Sequence, residues 1–315
     1  MLFIVVFGCN KEVVISDLIE PEAFWEELTP MPTPRYNAGI CVYNDEIYVI
    51  GGTIDSGSGA VATVAVEVYN VKTNTWSTKS NLSSPRTQPS VCTFDNKIYV
   101  IGGAPNESVN PLPTVEVYDP STDIWTKKQN MPVARMNTCS VPYEGKIYTI
   151  GGQISDGINN VEVYDPVNDT WESKNNMPTA RAHFVACEVN GLIYAIGGAT
   201  YAGTKNVVEI YNPITNSWDS GVDMIKGRTS ISGCVIGDKI IIVGGSYDPG
   251  SNLTSSVESY DTKNDTWVSL PKLSKSRVAL VSASIGNKIY AIGGSIVEWP
   301  FSPTGRVEAY EYIEE

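Results

Sequence analysis

Residues 125–152 read WTKKQNMPVARMNTCSVPYEGKIYTIGG, running from Trp125 through Arg135 to the pair Gly151-Gly152, and this stretch sets the register of the whole chain. Ten positions separate the tryptophan from the arginine, and sixteen separate the arginine from the first glycine. The same ruler fits six times. Arginines at Arg35, Arg86, Arg135, Arg181, Arg228 and Arg277 each precede a glycine pair, which begins at Gly51, Gly102, Gly151, Gly197, Gly244 or Gly293. Each follows a tryptophan: Trp25, Trp76, Trp125, Trp171, Trp218 or Trp267. Successive first glycines are 51, 49, 46, 47 and 49 residues apart, a period of about 50 that marks an array of supersecondary units.

Each unit reads as four short strands, a to d. In the first unit, Ala38–Tyr43 and Ile47–Ile50 flank Asn44-Asp45, Val66–Tyr69 alternates, and a last strand surrounds Trp76. The a–b turns are Asn44-Asp45, Asp95-Asn96, Glu144-Gly145, Asn190-Gly191, Gly237-Asp238 and Gly286-Asn287. Five of these are Gly/Asn/Asp pairs, which tight hairpins need because the turn takes positive φ. A Glu-x-Tyr step recurs in strand c, at Glu67, Glu116, Glu162, Glu209, Glu258 and Glu308. Trp25 precedes the first strand a, whereas the last unit stops after Tyr310 without a tryptophan. The segment near Trp25 is therefore expected to supply the outer strand of the last unit and seal a ring, which leaves no exposed sheet edge.

These landmarks resemble the kelch repeat over about residues 23–312. The resemblance implies an all-β, six-bladed β-propeller with four antiparallel strands per blade. It leaves 1–22 as a leader and linker and 23–315 as the propeller. The start, Leu2 to Phe7 followed by Gly8-Cys9, resembles the end of a bacterial lipoprotein signal peptide. That resemblance implies lipidation of Cys9 and a membrane-anchored, extracytoplasmic protein of bacterial origin. The alternative is a frayed terminus with a chance cysteine on a cytoplasmic protein.

Composition narrows the chemistry. With 22 Lys+Arg against 35 Asp+Glu the net charge is −13, and there is no basic run to overcome repulsion from a phosphate backbone. Nucleic acid is not an expected partner. The single histidine, His183, rules out metal sites built on two or three imidazoles. The cysteines Cys9, Cys41, Cys92, Cys139, Cys187 and Cys234 form no CxxC pair. Neither metal nor cofactor is expected, and five of the cysteines occupy small-residue positions of strand a as buried thiols.

Because successive strands run antiparallel, the b–c and d–a connections share one face. From first glycine to glutamate the six b–c connections span 16, 14, 11, 12, 14 and 15 residues, so length variation is concentrated there. Variable loops on a rigid scaffold are where binding usually resides. On that face the sixth loop carries Trp299, the one tryptophan of seven out of register, and Phe301. Either could anchor a ligand or fold back on the neighbouring blade. Tyr201 and Tyr247 lie in loops four and five. Asn37, Gln88, Asn137, His183, Ser230 and Ala279 each follow an arginine by two and are expected near the channel mouth. The six arginines either line that mouth, as the kelch resemblance permits, or pair with the six glutamates.

Three functions follow from the resemblance. A monomeric, non-enzymatic module binding a protein or a glycan is the leading one. A carbohydrate enzyme similar to bacterial N-acetylneuraminate epimerases or mutarotases is the alternative; Asp248, Glu298 and Arg306 are available, but they match no catalytic motif. A ubiquitin-ligase adaptor is disfavoured because about 22 leading residues are too few for its extra domains. An oxidase of the galactose-oxidase kind is excluded by the histidine count.

Overall fold

The computed structural model describes residues 24–106, 110–248, 251–298 and 300–313. Cys9 and Trp299 lie outside the described residues. Six four-stranded antiparallel sheets follow one another around a ring. The first is Gly39–Tyr43, Glu46–Ile50, Val66–Asn70 and Thr75–Thr78, within a residue or so of the strands read from sequence at each end. No helix occurs among the described residues, and none there is long and apolar enough to cross a membrane.

The a–b turns obey the chemistry of their residues. Both central residues have positive φ at Asn44-Asp45, Asp95-Asn96, Glu144-Gly145 and Asn190-Gly191, while in the last two blades only Gly237 and Gly286 do. Two left-handed residues define one primed turn type, and glycine alone at the first position defines the other.

The core is divided among the blade interfaces. Ile47 and Val49 of the first blade pack on Tyr290 and Ile292 of the sixth. Tyr48 and Ile50 meet Ile98, Val100 and Tyr118 of the second. Hydrogen bonds repeat along these seams. Each in-register indole N–H donates to a carbonyl of the preceding blade, as Trp125 does to Ser80 at 2.8 Å and Trp171 to Gln129 at 3.1 Å. In the first five blades the strand-c tyrosine donates to an Asn or Asp five residues on, as Tyr69 does to Asn74 at 2.7 Å. That same side-chain oxygen accepts an N–H across the seam, from Thr29 at 2.9 Å.

The ring closes through Glu26–Leu28, which pairs antiparallel with Val307–Glu311 in register Glu26↔Ala309. Trp25 is 7% exposed, packs on Tyr310 at 5.7 Å and donates to the Pro271 carbonyl at 2.8 Å. Truncating so buried an indole costs about 3 kcal/mol. Trp25→Ala is expected to lower the melting temperature at least as much as Trp171→Ala, whose indole is half-buried; an unchanged melt would overturn the closing role.

Candidate binding face

The six arginines do not line the channel. Each is at most 1% exposed and points into its own blade, onto the strand-c glutamate. Arg35 meets Glu67 at 2.5 Å and Arg135 meets Glu162 at 2.8 Å. Arg86 pairs with Glu116, Arg181 with Glu209, Arg228 with Glu258 and Arg277 with Glu308. Other guanidinium hydrogens reach backbone; Arg86 Nη1 donates to the carbonyls of Gly102 at 3.0 Å and Thr114 at 3.1 Å. Guanidinium groups so enclosed offer no surface to a ligand, which corrects their candidacy as channel-mouth contacts and leaves the pairing reading. The spacing fixed their register but not the direction of their side chains.

Two residues beyond each arginine, the chain turns into the channel. Asn37, Gln88, Asn137, His183, Ser230 and Ala279 all have φ between 51° and 55°. Their backbones join blade to blade: Gln88 N–H donates to Asn37 O at 2.8 Å, Asn137 to Gln88 at 3.1 Å, Ser230 to His183 at 3.1 Å, Ala279 to Ser230 at 3.0 Å, and Asn37 to Ala279 at 3.0 Å. At the remaining step the side chains of Asn137 and His183 meet, Nδ2 to Nε2, at 3.1 Å. This girdle rims a cavity of about 230 Å³. His183 opens partly to the channel, yet desolvation holds its imidazole down to about 4, so it is neutral at physiological pH. A left-handed backbone is costly for alanine and not for glycine. Ala279→Gly is therefore expected to raise stability by about 0.5–1 kcal/mol in chemical denaturation; a loss would refute the strain.

Above the girdle the b–c connections are not plain loops but build a crown. Hairpins stand on four consecutive blades: Ala199–Thr200 with Gly203–Thr204, Ser246–Asp248 with Ser251–Leu253, Ser295–Glu298 with Phe301–Pro303, and Thr53–Asp55 with Ala60–Ala62. Neighbouring hairpins touch in that order, and Thr204 Oγ1 donates to the Tyr247 carbonyl at 3.1 Å. Among the described residues blades two and three carry none, so the crown is a crescent. The glycine-rich run Ser56-Gly57-Ser58-Gly59 between two short apolar alternations was the available signal for one of them.

The aromatic candidates divide. Tyr201 is 80% exposed on the crown. Tyr247 is half-buried, its ring under Lys226 Nζ at 3.8 Å and its hydroxyl 3.0 Å from Ser256. Phe301 stacks on Tyr36 of the first blade at 4.5 Å, where it walls a cleft of about 250 Å³ with Ile54, Asp55, Pro300 and Pro303. Apolar side chains not singled out in the sequence also stand exposed on this face: Val61, Ile154, Ile296 and Val297. Of the acid and arginine candidates, Arg306 donates to Ser274 at 2.9 Å and Asp248 accepts from Asn252 at 2.9 Å; the side chain of Glu298 lies outside the described residues.

Comparison with known proteins agrees with the ring. The profile of the KLHDC2/KLHL20/DRC7 Kelch-repeats domain matches residues 8–152 and 90–294. Kelch-like protein 40 of Xenopus laevis is 32% identical over 110 residues, 34% of this chain and 17% of that protein. Kelch-like protein 28 of Homo sapiens is 33% identical over 88 residues, 27% of this chain and 15% of that protein. An F-box/kelch-repeat protein of Arabidopsis thaliana is 40% identical over 80 residues, 24% of this chain and 19% of that protein. Each alignment thus spans less than a fifth of the relative. Six blades, a match covering most of the chain and the recurring Trp, Arg, Gly-Gly and Glu-x-Tyr landmarks lead to one conclusion: the chain belongs to the kelch-repeat family.

Proposed function

We propose that the chain is a non-enzymatic binding module that receives a protein partner on the face of the b–c and d–a loops, seated against the crescent. One observation carries this reading: among the described residues, four extra hairpins, on consecutive blades and on one face, break the symmetry that the rest of the ring keeps. A scaffold needs no such crown, whereas an asymmetric partner needs an asymmetric seat. Exposed Val61, Tyr201 and Ile296 provide apolar contact area, and the cleft beside Phe301 gives room for one anchoring side chain. On the opposite face, exposed Val167 and Ile214 occupy the same c–d turn position of successive blades, the isolated kind of exposure ordinary surfaces carry.

The sialic-acid reading lacks such support. The residues lining the channel cavity include no charged side chain, and a carboxylate taken there loses water without gaining a counter-charge. To test the binding reading, a partner is captured on wild-type protein, identified, purified and titrated against variants. Val61→Ser/Tyr201→Ala is expected to weaken binding at least tenfold, about 1.4 kcal/mol, and Val167→Ser/Ile214→Ser to leave it unchanged. The reverse ranking would move the site to the other face.

A further inference from the structure

Beyond the protein-binding reading, and independent of it, we propose that the cavity at the channel mouth is a site for one uncharged polyol of monosaccharide size. The cavity of about 230 Å³ falls below the range of about 300–1,000 Å³ usual for drug-sized ligands, so it suits a single small ring. Its rim presents the carboxamides of Asn37, Gln88 and Asn137, the imidazole of His183 and the hydroxyl of Ser230. Together these give donors and acceptors and no net charge. Sugar hydroxyls, each both donor and acceptor, match such a set. Beneath the rim, Ile231, Leu280 and Val281 contribute apolar atoms to the lining.

Two further features favour a built site over a solvent well. The side chains hang from backbones fixed in one conformation and tied into a hydrogen-bonded girdle, so little ordering cost remains at binding. Gln88 Oε1 is buried and accepts no hydrogen bond from the protein; an acceptor left so costs about 1–3 kcal/mol, which a turn of the carboxamide toward a ligand hydroxyl recovers. Ionic ligands are disfavoured by the uncharged lining.

The test titrates full-length protein with D-glucose, D-galactose, D-mannose and myo-inositol, with D-glucuronate as the charged control, by calorimetry and saturation-transfer NMR. Saturable binding of at least one neutral probe is expected, and none of glucuronate. Gln88→Gly removes the carboxamide while suiting the left-handed backbone, so its fold persists; it is expected to weaken the bound probe roughly tenfold. Ser230→Ala is expected to weaken it less, and Tyr201→Ala, outside the cavity, not at all. No saturable binding by any neutral probe, equal binding by Gln88→Gly, or glucuronate binding as tightly as glucose would each overturn the proposal. Loss of protein binding in Tyr201→Ala with sugar binding intact would separate the two readings.

Discussion

Glu116→Ala is expected to lower the stability of the ring by about 3–5 kcal/mol, the cost of leaving a buried charge without its partner. Arg86 is fully buried and the Glu116 side chain is 2% exposed. Glu116 also accepts the Ser83 N–H at 3.2 Å, so its removal frees a backbone donor as well. The loss should appear as a shift of the urea midpoint with an unchanged slope, because the surface exposed on unfolding stays nearly the same. The double variant Arg86→Met/Glu116→Leu is expected to regain most of the stability, since apolar groups of similar volume often replace a buried ion pair without penalty. A single-variant loss under about 1 kcal/mol, or a double variant no better than the single, would contradict the pairing drawn from the geometry.

Raising the pH from about 7 to about 10 is expected to cost the fold several kcal/mol. Cys41, Cys92, Cys139, Cys187 and Cys234 are unpaired thiols, and burial pushes Cys41, Cys139 and Cys234 from an ordinary value of 9 up to about 12. Desolvation raises Cys92 and Cys187 as well. The folded protein therefore keeps its thiols neutral where the unfolded chain ionises them. The stabilisation is complete below pH 9 and drains away as pH climbs from 9 toward 12. One pH unit above 9, each fully buried thiol favours the unfolded chain by about 1.4 kcal/mol, or roughly 4 kcal/mol for Cys41, Cys92 and Cys234 together. Desolvation also raises Tyr48, Tyr69, Tyr99 and Tyr211 to about 12, in the same direction. A typical domain has only about 5–15 kcal/mol to lose. Urea midpoints from about pH 7 to pH 10 should fall steeply, and less steeply when the five cysteines are alanine. A flat profile would refute the burial of the thiols.

The architecture was legible because the landmark residues are confined by sterics and burial to one position per blade. Gly-Gly ends strand b, indole and phenol fill each seam, and Asn, Asp or Gly makes the a–b turn; all are local requirements that spacing reveals. Closure was legible from a tryptophan at one end and its absence at the other. The site was less so. Gln88, His183, Ser230 and Ala279 are not residues that announce a left-handed backbone, and they adopt it because neighbouring blades supply the hydrogen bonds. Phe301 finds Tyr36, more than two hundred residues away, only because the ring brings first and last blades together. Whether an arginine faces its own blade or the lumen depends on rotamers, to which periodicity is blind.

Closure by the first strand has an orientational outcome. Glu26–Leu28 runs toward the crown and Val307–Glu311 runs away from it, so the polypeptide both enters and departs through the rear of the disc. The crescent is left aimed outward, on the side away from both described ends.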